Sequence, residues 1–258
     1  MVKIYFTGID IGSSSAKAIV LDETNKIVHK FILPTGWSSL ETANSIKEKL
    51  AQVDMEYANG KFVATGYGRV SVPYAVKTVS EITCHGMGAA YLFNARDCTV
   101  IDIGGQDTKI ISLSQGKIVD FIMNDKCSAG TGRFLEIMAN ALGVSLSEMF
   151  DLAATGSGVS ISSMCTVFAE SEVISLIASG QPKQNIAYGV VESVINKVIS
   201  LCGKHASSNT SFYLTGGLCE SNYIIESLSK KLGFPVVSSP LGRYAGAVGA
   251  ALIAKSLK

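Results

Sequence analysis

Apolar residues along the chain alternate between short runs typical of β-strands and longer segments with helical spacing. In the first third of the chain this pattern predicts strands at 4–10, 16–21 and 26–32, a helix near 38–53, a strand near 61–65 and a helix over 84–92. In the remainder it predicts strands near 98–103, 108–113 and 117–123, helices at 131–142, 147–154, 166–179 and 184–204, a strand at 211–215, a helix at 221–232, a strand at 235–237 and a helix at 243–254. Three consecutive strands followed by helices occur twice. This order predicts an α/β architecture with mixed sheets in two related lobes.

An internal repeat supports the two lobes. Residues 9–12 and 101–104 have the same sequence, Ile-Asp-Ile-Gly, and Lys109 follows the second copy at the spacing at which Lys17 follows the first. Each copy predicts a β-hairpin whose first strand ends in an aspartate and whose turn is built from small residues. One such hairpin alone would be an ordinary strand-end turn.

The two in-step copies favour a site for a metal-bound polyphosphate. A carboxylate in so apolar a strand is costly unless it is paired, hydrogen-bonded or bound to a cation, which points to Asp10 and Asp102. Glycines at 12, 104 and 105 allow the backbone to approach phosphate closely. The spacing of a Walker-type phosphate loop is missing from the sequence, so that kind of nucleotide site is not predicted.

Composition narrows the class of protein. The chain has 258 residues, of which 47% are hydrophobic and 17% charged, and its net charge is +1, so a large core is expected and no basic stripe for nucleic acid is found. No apolar stretch is long enough to span a membrane, and the N-terminus predicts a strand rather than a signal peptide. Six cysteines without C-x-x-C spacing are typical of reduced thiols. We therefore predict a cytoplasmic protein that binds neither nucleic acid nor membrane.

Three motifs resemble those of the superfamily that contains actin, sugar kinases and heat-shock-chaperone ATPases. Residues 8–15 resemble its first phosphate motif, 101–107 its second and 214–218 its adenosine motif, while 246–251 resembles its hinge helix. The resemblance implies two ribonuclease-H-like (actin-like) lobes with mixed sheets flanked by helices and a nucleotide cleft between them. We place the lobes at 1–95 and 96–258, and the C-terminal helix could pack back on the first lobe.

The same resemblance implies the residues that bind ATP or ADP. Asp10 and Asp102 are expected to position Mg²⁺, and either Asp102 or Gln106 to orient the attacking water. Lys17 could neutralise phosphate charge, or it could be a solvated surface residue. The remaining expected nucleotide-binding residues are Gly12, Ser13, Ser14, Ser15, Gly104, Gly105, Gly216, Gly217 and Leu218.

Further segments resemble a narrower family, the activator ATPases of 2-hydroxyacyl-CoA dehydratases, of BadF/BadG/BcrA/BcrD type. They are 64–69, 84–89, 124–134 and 163–172. Members are homodimers that hold one [4Fe–4S] cluster between the subunits, and by position the ligands here are Cys127 and Cys165. The chemistry of the residues agrees, because each of these cysteines precedes a predicted helix, where N–H groups stabilise a thiolate, and a cluster usually takes four thiolates. Two unrelated buried thiols, or a site completed by the other four cysteines, are the alternatives.

The implied function is ATP-driven delivery of a low-potential electron to a 2-hydroxyacyl-CoA dehydratase in an anaerobic setting, with ferredoxin or flavodoxin as the donor. A related double-cubane iron–sulfur or benzoyl-CoA-reductase-type acceptor is an alternative within the family. A small-molecule kinase would need an inserted substrate-binding segment, for which 258 residues leave little chain. A conformational ATPase without redox chemistry would give no role to Cys127 or Cys165.

Overall fold

The computed structural model describes residues 4–53, 60–163, 165–203 and 211–257. Within those ranges the strands are β1 (Tyr5–Ile11), β2 (Ser15–Leu21), β3 (Ile27–Pro34), β4 (Gly60–Thr65), β5 (Lys77–Thr78), β6 (Cys98–Ile103), β7 (Thr108–Ser114), β8 (Lys117–Asn124), β9 (Phe212–Gly216) and β10 (Val236–Ser238). The α-helices are α1 (Ser39–Ala51), α2 (Glu81–Leu92), α3 (Gly132–Leu142), α4 (Leu146–Thr155), α5 (Thr166–Ala178), α6 (Lys183–Cys202), α7 (Asn222–Leu232) and α8 (Ala245–Ser256). None of the helices described is both long and apolar enough to cross a membrane.

The first sheet has the strand order β3-β2-β1-β4-β5. Strand β1 pairs antiparallel with β2 and parallel with β4, so the sheet is mixed, and Asp10 lies directly opposite Lys17. Helix α8 packs on this sheet through small residues. A Cβ on Gly8 would lie 1.9 Å from the carbonyl oxygen of Ala247, so only glycine permits this approach of helix and strand.

The second sheet has the order β10-β9-β6-β7-β8. Strands β6, β7 and β8 follow one another through short turns, and β9 pairs parallel with β10. The hydrophobic core here is rich in helix residues, among them Phe134, Leu135 and Met138 of α3, each at most 1% exposed. Both sheets thus have the mixed topology and helical cover that the sequence predicts.

The described residues form two compact units. The first unit lies within residues 1–100, 111–121 and 241–258, and the second within 101–110 and 122–240. The last helix, α8, belongs to the first unit, where its buried alanines and glycines contact β1, β2, β4 and α2.

The predicted α/β fold class is confirmed, and most element boundaries agree within two residues. The sequence pattern missed β5 because its two residues are both exposed and carry no apolar period. It also missed the 3₁₀ turns at Arg69–Ser71 and Gly242–Tyr244, which are too short for any period. The predicted end of α6 at Lys204 lies outside the described residues.

Strand β3 ends two residues later than predicted. Pro34, which we expected to follow the strand, is its last residue and lies opposite Ser15. Strand β3 is at the edge of its sheet, and a proline there leaves no ladder hydrogen bond unmade.

Candidate functional site

The first hairpin places a buried carboxylate at the end of β1. Its turn is closed by a hydrogen bond from the Gly12 N–H to the Ser15 carbonyl at 3.2 Å. Asp10 is 2% exposed, and its Oδ2 lies 3.8 Å from Nζ of Lys17. Its other oxygen, Oδ1, is buried without a hydrogen-bond partner among the described residues. A buried carboxylate oxygen with spare acceptor capacity suits a metal ion or a metal-bound water.

The second hairpin closes in the same way, with the Gly104 N–H donating to the Asp107 carbonyl at 2.9 Å. Lys109 is only 1% exposed, and its Nζ lies 2.6 Å from Oδ1 of Asp107 and 3.4 Å from Oδ2 of Asp102. The hydroxyl of Thr215 donates to Oδ1 of Asp102 at 3.0 Å. Two carboxylates thus share one ammonium, and Asp107 Oδ2 is buried without a hydrogen-bond partner in the described chain. The excess negative charge again suits a cation.

A Thr-Gly turn lies against each of the two aspartates. Gly66 has φ +89°, and a Cβ there would lie 2.6 Å from Oδ1 of Asp10. Gly216 has φ +87°, and a Cβ there would lie 2.9 Å from Oδ1 of Asp102. Both conformations are ones that glycine adopts without steric cost, so the backbone can approach each carboxylate.

Sequence analysis missed two members of this constellation, Asp107 and Lys109, to which it gave no role. The in-step repeat was the available signal, because it pairs Lys109 with Lys17. The same repeat pairs Asp107 with Ser15 of the first copy, and this replacement gives the second lysine an additional carboxylate two residues before it. The recurrence of Thr-Gly at 65–66 and 215–216 was also present in the sequence and was not used.

A cavity in the second unit adjoins the predicted adenosine motif. Its volume is about 380 Å³, and Gly217 and Leu218 form part of its wall. A Cβ on Gly217 would meet no atom within 4 Å, so the glycine borders open space. The remaining lining residues come from or adjoin α4 and α7: Leu146, Ser147, Phe150, Asp151, Glu220, Ser221, Asn222 and Tyr223. This mixture of aromatic, carboxylate and amide groups suits the base and hydroxyls of a nucleoside.

The six cysteines, all in the described chain, form no disulfide and divide into two groups. Four are buried: Cys84, Cys98, Cys202 and Cys219. Burial raises the pKa of the Cys84 and Cys202 thiols to about 12, and that of Cys98 to about 11. Cys127 and Cys165 are exposed. The two cysteines that the family resemblance implies as cluster ligands are therefore the two that an external group can reach.

The segments that carry Cys127 and Cys165 are hydrogen-bonded to each other. The side-chain oxygens of Ser128 and Thr166, the residues that follow the two cysteines, lie 2.5 Å apart. Asn124 Nδ2 donates to the carbonyls of Cys127 and Ala129 at 2.9 Å, which fixes the first segment as a tight loop. Cys165 is the N-cap of α5, so it adjoins the helix end that carries unpaired N–H groups.

The Cys127 loop is also bonded to the second hairpin. The backbone N–H of Gly132 donates to the carbonyl of Gly104 at 2.9 Å, and that of Arg133 donates to Gly105 at 2.8 Å. The hydroxyl of Thr108 donates to the carbonyl of Gly130 at 2.6 Å. A continuous set of hydrogen bonds within one unit therefore links the hairpin that ends in Asp102 to both cysteine segments.

The structure thus groups the predicted site residues into sets. Asp10, residues 12–15 and Lys17 share the first hairpin; Asp102 and residues 104–106 share the second, with 216–218 beside it. Gln106 is exposed on its turn. Met164, within the resemblance at 163–172, lies outside the described residues. In the described ranges, no three His, Cys, Asp or Glu side chains form a metal-binding group. The roles of these residues stay predictions.

Comparison with known proteins places similarity over nearly the whole chain. The model of the BadF/BadG/BcrA/BcrD ATPase family matches residues 7–254. The (R)-2-hydroxyglutaryl-CoA dehydratase activating ATPase of Acidaminococcus fermentans is 44% identical over 257 residues, which cover 98% of each chain.

Two solved structures are similar over the same length. The crystal structure of the Acidaminococcus fermentans (R)-2-hydroxyglutaryl-CoA dehydratase component A has a TM-score of 0.90 at 43% identity and covers 98% of both chains. The activator of the 2-hydroxyisocaproyl-CoA dehydratase from Clostridium difficile, solved with bound ADPNP, has a TM-score of 0.89 at 34% identity. It covers 98% of this chain and 95% of that one. The similarity therefore includes both sheets.

Proposed function

Because the chain belongs to the BadF/BadG/BcrA/BcrD ATPase family, we propose that it couples ATP hydrolysis to the activation of a 2-hydroxyacyl-CoA dehydratase. Activation consists of delivering one low-potential electron to that enzyme, or to a related iron–sulfur reductase. A ferredoxin or flavodoxin supplies the electron. The relatives described above are dehydratase activators, which supports the choice of partner.

The residues of both hairpins fit a magnesium nucleotide. Asp10 and Asp102 are proposed to hold Mg²⁺, and the spare oxygens of Asp10 and Asp107 can accept from its water ligands. Both oxygens of Asp102 are already engaged, by Lys109 and Thr215, which fixes the orientation of this carboxylate. Of the two candidates, we therefore propose that the exposed amide of Gln106, rather than Asp102, orients the attacking water.

The other nucleotide-binding residues act by position. Backbone N–H groups and hydroxyls of residues 12–15, with Gly104 and Gly105, are proposed to bind phosphate oxygens, and Lys17 to neutralise their charge. Gly217 and Leu218 border the 380 Å³ cavity. Together with Gly216, which precedes them in the chain, they are proposed to hold the adenosine. Phosphoryl transfer to water needs this positioning and charge stabilisation and no covalent intermediate.

The exposed cysteine pair fits a [4Fe–4S] cluster. Such a cluster usually takes four thiolates, and Cys127 and Cys165 give two from each chain, so we propose that two copies share one cluster. When bound, the cluster supplies a one-electron reductant. The Ser128–Thr166 hydrogen bond joins the residues that follow the two cysteines, and Cys165 lies at the N-terminal end of α5.

Hydrogen bonds in the second unit offer a route by which the nucleotide influences the cysteines. The backbone N–H groups of Gly132 and Arg133 donate to the carbonyls of Gly104 and Gly105. If ATP binding or hydrolysis shifts Gly104 and Gly105, Gly132 and Arg133 must move with them or lose these two hydrogen bonds. The Cys127 loop follows, and Ser128 carries the displacement to Thr166 at the start of α5. We propose that this shift changes the surroundings of the cysteine pair and prepares electron delivery.

The observation that carries the proposal is that Cys127 and Cys165 alone among six cysteines are exposed while their segments are hydrogen-bonded together. The test is anaerobic purification with iron and sulfide analysis. We expect about four irons and four sulfides per two chains, and loss of both in Cys127→Ser and Cys165→Ser.

The buried variant Cys98→Ser is the matched control and should retain the iron. ATP-dependent activation of a purified 2-hydroxyacyl-CoA dehydratase should disappear with the cluster, while nucleotide binding persists. Full iron content in Cys127→Ser, with activation intact, would refute the assignment.

A further inference from the structure

A carboxylate on α5 holds the segment that leads into Cys165. Glu172 lies seven residues after Cys165, two helical turns along α5. Its oxygens accept hydrogen bonds from the backbone N–H and the hydroxyl of Ser162 at 3.0–3.1 Å, and from the backbone N–H of Ser163 at 3.1 Å. One side chain thus satisfies three donors of a single loop.

These hydrogen bonds involve a charged acceptor. Burial tends to raise the pKa of Glu172, but the hydrogen bonds from Ser162 and Ser163 outweigh burial and hold the pKa below its usual value. The side chain is therefore ionised at neutral pH, and charge-assisted hydrogen bonds are about twice as strong as neutral ones. Residues 156–163 form no helix or strand. Ile161 is buried in the core and the Ser157 N–H donates to Asn185 Oδ1 at 3.0 Å, so Glu172 holds the end of the loop that leads into Cys165.

Cys165 is consequently anchored on both sides. Before it, Ser162 and Ser163 are bonded to Glu172; after it, Thr166 is bonded to Ser128. The anchors on the two sides are separated by only two residues, Met164 and Cys165 itself. Anchors so close together restrict the directions in which the thiol can point, before any external group is bound.

We propose that Glu172 is a positioning residue for Cys165, which it holds in place for metal binding through the Ser162–Ser163 segment. This inference rests on the proposed function, because that function makes Cys165 a cluster ligand. Glu172 touches neither the thiol nor a reacting group in this assignment. It acts through the loop, and its removal should loosen Cys165 without changing the nucleotide site.

The test uses the full-length protein with Glu172→Gln and Glu172→Ala, and Glu170→Gln as the matched control. Glu170 is on the same helix and makes no hydrogen bond to this loop among the described residues. Glu172→Gln keeps one acceptor oxygen but replaces the other with a donor, so it should give an intermediate effect.

Three measurements are compared across the variants. Hydrogen exchange of the Ser162 and Ser163 amides in the metal-free protein reports directly on their hydrogen bonds to Glu172, which we call the clamp. The rate at which a ferrous chelator removes iron, and the EPR spectrum of the reduced cluster, report the position of Cys165. Relative to wild type, we expect Glu172→Ala to raise amide exchange and iron release at least about tenfold. One hydrogen bond to a charged group is worth about that factor, and the variant loses those from both Ser162 and Ser163. We also expect it to alter the EPR spectrum. Glu170→Gln should change none of them.

Two results would overturn the inference. One is unchanged amide exchange in Glu172→Ala, which would mean that the carboxylate does not hold the loop. The other is faster exchange with wild-type iron release and EPR spectrum, which would mean that the clamp does not position Cys165. If the wild type binds no iron, the proposed function fails. The inference is then tested separately by the alkylation rate of Cys165 in the metal-free proteins. Equal rates in wild type and Glu172→Ala would reject it.

Discussion

The surroundings of Lys109 show how one difference in sequence makes two otherwise equivalent hairpins differ in structure. Lys17 and Lys109 occupy the same place in the repeat, yet the first is 17% exposed and lies 3.8 Å from its aspartate, while the second is 1% exposed and lies 2.6 Å from Asp107. The residue two positions earlier makes the difference, because in the second hairpin it is an aspartate whose Oδ1 pairs with the lysine. It is Ser15 in the first hairpin and Asp107 in the second. A fully buried ammonium persists only when such partners are present.

Replacing Lys109 should therefore destabilise the protein strongly. Lys109→Met leaves Asp102 and Asp107 buried without their cation, and we expect the free energy of unfolding in urea to fall by about 3–5 kcal/mol. Lys17→Met is the matched control and should cost about 1 kcal/mol or less, since that lysine is partly solvated. Adding Asp107→Leu to Lys109→Met should recover part of the loss. Equal costs for the two lysine variants would contradict this account.

The cysteines differ in reactivity for a related reason. At pH 8 a thiol with a pKa of about 12, such as Cys84 or Cys202, is ionised in roughly one molecule in 10⁴, and burial also blocks access. We expect iodoacetamide to label Cys127 and Cys165 in the native metal-free protein within minutes. The four buried cysteines should be labelled only after unfolding. Peptide mass spectrometry reads out each position, and labelling of Cys84 or Cys202 at the rate of Cys165 would be inconsistent with this burial.

At the scale of elements, the first unit depends on helices that approach more closely than ordinary side chains allow. Helices α2 and α8 meet through Gly88 and Gly249: a Cβ on Gly88 would lie 1.9 Å from the carbonyl oxygen of Ala245, and one on Gly249 would lie 1.9 Å from that of Cys84. Because both obstacles are backbone atoms, a rotamer change cannot relieve the overlap. The two helices would have to separate.

We expect Gly249→Ala to lower the free energy of unfolding by about 3 kcal/mol or more, because overpacking against backbone forces a helix shift. Gly203→Ala is the control: Gly203 has helical dihedral angles, and its nearest obstacle, the Ser200 carbonyl oxygen, lies 3.5 Å away. That substitution should be neutral or slightly stabilising. Urea denaturation followed by circular dichroism measures both, and a Gly249→Ala variant as stable as Gly203→Ala would show that α2 and α8 can move apart freely.

The contact between the two cysteine segments makes a second prediction at this scale. Thr166→Val keeps the shape of the side chain but removes the hydroxyl that lies 2.5 Å from Ser128. We expect the variant to bind ATP with wild-type affinity and to retain its iron, but to lose the effect of ATP on the rate at which a chelator removes that iron. Thr155→Val, at an exposed helix end where the hydroxyl donates to the Leu152 carbonyl, is the control and should keep the ATP effect. A persistent ATP effect in Thr166→Val would exclude this contact as the link.

The spacing of apolar residues predicted these elements well where they are long and bury one face, and poorly where contacts with distant residues define them. Helix α3 has a clear apolar face, and its predicted and observed ends differ by one residue. Strand β5 exists because Lys77 and Thr78 pair with β4, which no local pattern encodes. Likewise, the repeat located Asp10 and Asp102, but the burial of Lys109 and the hydrogen bond between Ser128 and Thr166 depend on residues brought together only by folding.

At the scale of the whole molecule, one chain supplies half of the ligands that the proposed cluster needs. The helix that begins after Cys165, α5, also leaves apolar side chains uncovered. Val167, Phe168 and Ile174 are each more than half exposed. Isolated apolar residues on a surface are ordinary, but several beside a two-thiolate site are consistent with a surface that a second copy covers. The shared cluster would then hold the two copies together.

Removing the iron should therefore weaken the association of two chains. We expect anaerobic light scattering to give twice the 27.2 kDa of one chain for the iron-loaded protein, and a mass falling towards 27.2 kDa on dilution after chelation. Cys165→Ser should behave like the chelated protein. Cys98 is one of the buried cysteines, so Cys98→Ser should behave like the wild type. Magnesium–ATP is included in parallel samples so that nucleotide loss is not mistaken for cluster loss. A wild-type protein that carries four irons per single chain and sediments as one chain would rule out the shared cluster, because the two exposed thiols of one chain would then suffice.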